Sequence, residues 1–126
     1  MKESVSRSRL RRFIGSGLCI SSDSRKYIKE MRRILGEINE SEIKRQSYAL
    51  KALADSTRIK ILRLLKTRPM CACEIAAALD LTQPNASHHL EMLERNDILK
   101  SKRNGRWTFY ELQKSVINDL TSSIVD

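Results

Sequence analysis

Between Thr82 and Leu112 the spacing of apolar residues changes once, and abruptly. In TQPNASHHLEMLE, Ala86, Leu90 and Leu93 recur at three- and four-residue steps, whereas beyond Asn96-Asp97 the stretch ILKSKRNGRWTFYEL alternates with a period of two. The first pattern buries one stripe of a helix, and the second buries one face of a strand that needs a neighbour. Asn104-Gly105 lies between the two strand patterns and predicts a type I′ hairpin turn, in which both central residues take positive φ. A capped helix that runs directly into a basic hairpin admits few folds.

Upstream, DSTRIKILRLLKTRP offers Asp55 or Ser56 as N-cap, followed by Ile59, Ile61, Leu62, Leu64 and Leu65. Apolar residues most of the way round predict a helix in the middle of a core, with Pro69 as its stop. The segment MCACEIAAAL then reads as a short helix carrying Ile75, Ala78 and Leu79, separated by Asp80-Leu81 from the next start. That start has Thr82 as N-cap and Pro84 in the first turn, where a missing N–H costs nothing. Two helices joined by a tight, polar-capped connection make a helix-turn-helix.

Three more helices complete the expected architecture. Ile28, Met31, Leu35 and Ile38 stripe one that starts near Ser24 and weakens at Gly36; Ile43, Tyr48, Leu50 and Leu53 mark another over residues 40–54. Leu112, Val116, Leu120 and Ile124 mark a closing helix over residues 112–124. Residues 1–24, rich in serine and arginine, read as a mobile basic tail, leaving residues 25–126 as one mainly α domain, a helix-turn-helix followed by a small β-hairpin. The helix stripes at the two ends have no evident partner in so short a chain, which predicts a homodimer.

With 126 residues the chain has room for one core. Its formal charge is +9, and residues 1–26 alone hold seven Lys/Arg against two Asp/Glu. Such a balance favours polyanionic partners, because each neutralised phosphate releases counterions. No apolar run approaches the ~18 residues of a membrane span. The N-terminal RSRLRRFIGSGLCISS fails as a signal peptide, because Gly15, Ser16 and Gly17 break its apolar stretch and Leu18 is a poor processing residue. A cytoplasmic protein is expected, and three cysteines, an odd number, point to free or metal-binding thiols rather than a disulfide framework.

On the helix after Thr82, His88 lies opposite the apolar stripe, flanked by Asn85 and Ser87, with Gln83 at the helix start. Small polar side chains at a helix N-terminus suit the donor and acceptor pattern of base edges in a major groove, while cations nearby hold phosphates. Lys102, Arg103 and Arg106 flank the hairpin tip. Double-stranded DNA is therefore the expected partner, and Gln83, Asn85, Ser87, His88, Lys102, Arg103 and Arg106 are its candidate contacts. His88 and His89 point about 100° apart, a poor joint metal site, so His89 is assigned to the core edge. Trp107, Phe109 and Tyr110 are expected to pack against the helices.

Residues 49–112 closely resemble the ArsR/SmtB family of metal-sensing winged-helix repressors. The likeness rests on four motifs in order: ALADSTR, CACEIA, LTQPNASHHLEML and RNGRWTFYEL. It implies a homodimer paired through its first and last helices, bound to a roughly palindromic operator and released by an effector. It also supports Gln83, Ser87 and His88 as groove contacts and Lys102, Arg103 and Arg106 as wing contacts.

Thiolates select soft ions, so Cys71 and Cys73 favour As(III), Sb(III), Cd(II), Pb(II) or Zn(II) over hard cations. In the arsenic and cadmium/lead sensors of the family a C-x-C at this helix contributes two ligands. On an ideal helix residues i and i+2 diverge by about 200°, so one ion held by both would distort the helix start that braces the recognition helix. The chain departs from the family pattern at Ala76, where one arsenic-sensor pattern has a third cysteine, and in its last helix, which lacks the His of the C-terminal zinc site. Cys19 is the only other thiol, and the family's cadmium/lead sensors recruit N-terminal cysteines, which makes it the candidate third ligand. A redox-sensing repressor on the same scaffold is the alternative. A disulfide-exchange enzyme lacks a nearby base and any sign of a cleft, and a nucleoid-type protein would bind DNA without discrimination.

Overall fold

The computed structural model describes Arg9, Arg12 and residues 24–125. The expected tail and Cys19 therefore lie outside the described residues, apart from Arg9, Arg12 and Ser24. The chain divides into two compact units, Met1–Lys44 and Arg45–Asp126.

In the first unit, α1 (Ser24–Gly36) ends at the glycine that the sequence marks as its weak point. Its stripe residues Ile28, Met31 and Leu35 are half-buried, while Ile34 and Ile38 are exposed. Helix α2 (Glu40–Leu53) then begins behind Asn39, whose Oδ1 accepts from the Ser41 N–H at 3.1 Å and the Ser41 hydroxyl at 2.7 Å. Glu40 and Glu42 sit in its first turn, where a negative charge complements the helix dipole. This helix continues into the second unit.

The second unit holds the rest of α2, then α3 (Ser56–Leu65), β1 (Met70–Cys71), α4 (Ala72–Leu79), α5 (Gln83–Arg95), β2 (Leu99–Asn104), β3 (Trp107–Leu112) and α6 (Lys114–Val125). Ile61, Ile75, Leu90, Leu93, Ile98 and Leu99 are its fully buried large side chains, and Ala86 fits between them with no exposed surface. Each buried large aliphatic side chain contributes about 1.5–3 kcal/mol of transfer free energy, so this one cluster welds α3, α4, α5 and the hairpin base together. Among the described residues no helix is long and apolar enough to cross a membrane.

Several expectations are corrected in detail. Asp55 is the N-cap of α3, accepting from the Arg58 N–H at 3.0 Å, but the helix ends at Leu65, four residues before Pro69. Its all-round apolar surface is not all interior: Ile61 and Leu65 are buried, whereas Ile59 is 47% exposed. In α4 Ala76 is buried and Ala78 is exposed. Leu112 belongs to β3, paired with Leu99, and α6 starts two residues later.

The sheet has three antiparallel strands in the order β1-β3-β2, with Met70 opposite Tyr110 and Cys71 opposite Phe109. A two-residue strand carries too little periodicity to be seen in sequence, so β1 was not anticipated. The hairpin register is also shifted. Asn104 pairs with Trp107, leaving Gly105 and Arg106 as the two central turn residues, and only Gly105 has positive φ, at 64°. A positive φ at the first central position alone is the requirement of a type II′ turn, not I′.

Candidate nucleic-acid interface and thiol pair

Helix α5 begins as its sequence demands. Thr82, with extended φ and ψ, caps it by accepting from the Asn85 N–H at 3.2 Å, and Pro84 sits in the first turn. Leu79 and Leu81 pack on the cluster behind it, and Asp80 closes α4 in the left-handed conformation (φ 54°), a geometry that short polar side chains tolerate. Ala86, Leu90 and Leu93 have no exposed surface, so the stripe pins α5 to the core along its length. Gln83, Asn85 and His88 are exposed and Ser87 is half-buried. The helix thus offers an amide at its first residue, a second amide two residues on, and an imidazole one turn further.

The hairpin supplies cations. Lys102, Arg103 and Arg106 are all exposed, and β2 beyond the buried Leu99 is exposed throughout. Two of the cations are already held in place. The Arg106 guanidinium lies 5.4 Å from the centre of the Trp107 ring, and Arg103 Nε donates to the Gly105 carbonyl at 3.3 Å. Trp107 is 46% exposed, so the expectation that it packs against the helices is corrected; Phe109 and Tyr110 are half-buried, and Tyr110 joins the core. Burial is the main reason that the Tyr110 phenol is pushed above its ordinary range.

Sequence reasoning missed a brace behind the recognition helix. Arg58 Nε donates to the Ala52 carbonyl at 2.6 Å, and its Nη1 lies 3.3 Å from His89 Nδ1. An arginine only donates, so this contact is a hydrogen bond when His89 is neutral with its proton on Nε2. Burial is the largest cause that holds the His89 pKa below its ordinary value, and the Arg58 charge acts the same way. The Asp55 carboxylate, 3.9 Å from the ring, works against them without prevailing. The ALADSTR segment thereby ties the end of α2 and the start of α3 to α5. His89 at the core edge agrees with the sequence expectation, and its partners do not show in any local pattern.

The thiols stand at the junction of β1 and α4, and neither is in a disulfide. Cys71 is not inside the helix: it is the N-cap residue, with φ −84° and ψ 164°, and it is buried. The 200° divergence expected of two helical positions therefore does not describe the pair. Glu74 closes the helix start, its Oε1 accepting from the Cys71 N–H at 3.4 Å and from the Cys71 thiol at 3.6 Å. A hydrogen bond from Arg68 at 2.6 Å is the main cause that lowers the Glu74 carboxyl below its ordinary range and raises Arg68 above its own. Cys73, by contrast, is exposed, and its Sγ accepts from Gln83 Nε2 at 3.6 Å.

Two thiols at one helix start are a donor set for soft ions, and Glu74 lies beside one of them. Among the described residues no three Cys, His, Asp or Glu side chains converge as a ready metal site. The residues fit two ligands of such a site and require at least one from elsewhere.

A family model described as "Bacterial regulatory protein, arsR family" matches residues 55–101, which span α3 to the start of the wing. The arsenical resistance operon repressor of Staphylococcus aureus is 32% identical over 81 residues, covering 64% of this chain and 78% of that protein. The transcriptional repressor SdpR of Bacillus subtilis is 39% identical over 69 residues, 55% of this chain and 77% of the relative. Among solved structures, the homodimeric winged helix-turn-helix DNA-binding domain from Mycobacterium bovis superposes with a TM-score of 0.62 at 23% identity, covering 71% of this chain and 83% of that one. The chain belongs to the arsR family of bacterial regulatory proteins and is a winged helix-turn-helix, DNA-binding transcriptional repressor of that family rather than an enzyme.

Proposed function

We propose that this repressor is a cytoplasmic homodimer that holds its operator when ion-free and leaves it when a soft ion binds Cys71 and Cys73, with Cys19 as the third ligand. The observation that carries this reading is the cysteine at the N-cap of α4. Oxygen side chains cap helices better than sulfur, and a Ser, Thr, Asp or Asn there would serve stability by about 0.5–2 kcal/mol over a residue that caps poorly. A thiol in that place, with a second one two residues on, serves ion binding instead. Release of arsenical or cadmium stress genes is the matching output, in line with the arsenical resistance repressor among its relatives.

Operator contacts in this reading are Gln83, Asn85, Ser87 and His88 from α5, with Lys102, Arg103 and Arg106 from the wing. Residues 1–24 serve as a basic arm to the domain of residues 25–126. Exposed Ile124 and Val125 on α6, with exposed Ile34 on α1 and Ile38 just beyond its end, are the apolar surfaces a second copy would cover. In the dimer two recognition helices sit about one DNA turn apart.

Fluorescence anisotropy of the reduced protein on the DNA upstream of its own gene, at fixed salt, tests this. Stoichiometric As(III) or Cd(II) should displace the protein, and Cys71→Ser or Cys73→Ser should bind the operator yet resist displacement. Specific binding untouched by either ion, but lost after mild peroxide, would replace the metal switch with a redox one.

A further inference from the structure

We infer that Gln83 is a positioning residue that carries the state of the Cys73 thiol into the recognition helix. The inference deepens the effector reading above, and rests on it for the direction of the switch.

Gln83 is the first residue of α5, next to the Thr82 cap, and its side chain is exposed. Among the described residues its one side-chain hydrogen-bond partner is the Cys73 sulfur, 3.6 Å away in the first turn of α4. An exposed glutamine with three side-chain torsions has no fixed orientation of its own. The sulfur lone pair selects one, with Nε2 turned toward α4 and the amide oxygen still able to accept. The ion-free thiol is thus a part of the DNA-binding surface, not merely a silent ligand waiting for its ion.

Ion binding removes that support. The Cys73 thiol gives up its proton to solvent, and the electron pair that held the proton forms the bond to the ion. Drawing the sulfur toward Cys71, to share one ion with it, takes the sulfur away from Gln83. The amide is released and the helix loses the preset orientation of its first residue. By reciprocity, DNA that fixes Gln83 in its ion-free arrangement weakens ion binding by the same factor.

The test is a double-mutant cycle on operator affinity, in ion-free protein. Cys73→Ala is expected to weaken operator binding about three- to tenfold, the loss of one hydrogen bond. Cys73→Ser, whose hydroxyl still accepts, is expected to recover most of that loss. Gln83→Ala loses at least as much, and Cys73→Ala added to Gln83→Ala costs nothing further. In the second measurement, Gln83→Ala should keep the ultraviolet absorbance of Cd(II)–thiolate bonds at its wild-type midpoint within about threefold, while Cd(II)-driven release shrinks.

Full operator affinity in Cys73→Ala, or additive losses in the double variant, overturns the link. A non-additive cycle in a protein that no soft ion releases upholds the link and overturns the effector reading alone, since the cycle contains no ion.

Discussion

His89 shows how one side chain can be legible in type and illegible in role. Its place on α5 follows from the stripe of Ala86, Leu90 and Leu93, but its lowered pKa comes first from burial, with the Arg58 charge helping and Asp55 opposing, and both partners lie thirty and more residues earlier. Because the folded state holds its pKa below the ordinary value of about 6.5, the unfolded chain binds more protons in the window beneath that value. His89 thus contributes its full stability above about pH 6.5, and the contribution is lost as pH falls below it. Urea unfolding at pH 7.5 and 5.5 should show the wild-type midpoint dropping further than that of His89→Gln, which keeps an acceptor for Arg58 and does not titrate. Asp55, lowered chiefly by the Arg58 N–H, and Glu74, lowered chiefly by Arg68, contribute above the ordinary carboxylate range. Their share is lost only as pH falls through their lower folded values, beneath the His89 window.

At the scale of elements, caps and turns decide where the reading helix begins and where the wing points. Thr82→Ala removes the acceptor for the Asn85 N–H, and about 1 kcal/mol of stability should go with it in chemical denaturation. Leu90→Ala empties a fully buried site, with an expected cost of about 2–5 kcal/mol in the same measurement. Gly105 holds the one positive-φ position of the hairpin, and nothing lies within 4 Å of where a Cβ would stand. Gly105→Ala therefore costs through backbone conformation alone, about 1–2 kcal/mol, and its amide-exchange protection should fall in β2 and β3 before it falls in α5. The helices were readable because each carries a cap and a stripe of period 3.6. The hairpin register was not, since Asn-Gly followed by Arg supports either of two registers one residue apart, and strand pairing chose between them. Strand β1 was invisible because its two residues become a strand only by lying beside β3.

For the molecule as a whole, charge sets the strength of DNA binding and the salt that defeats it. Lys102, exposed on the wing, should count as one phosphate contact: Lys102→Ala lowers the slope of log affinity against log salt by about 0.9 and weakens operator and random DNA alike. His88→Ala, by contrast, should weaken the operator more than random DNA, because a base-edge contact carries sequence information. Sedimentation equilibrium checks the dimer on which a two-helix footprint depends. The sequence by itself determined the helix-turn-helix and its basic hairpin, since periodicity, caps and proline act within one turn of chain and need no distant partner. Only the tertiary structure decided that Cys71 stands at the start of a helix from a sheet edge, that burial beside Arg58 lowers the His89 pKa, and that Cys73 lies against Gln83. Each of these depends on groups brought together by burial of the shared core, and that proximity has no period in the chain to betray it.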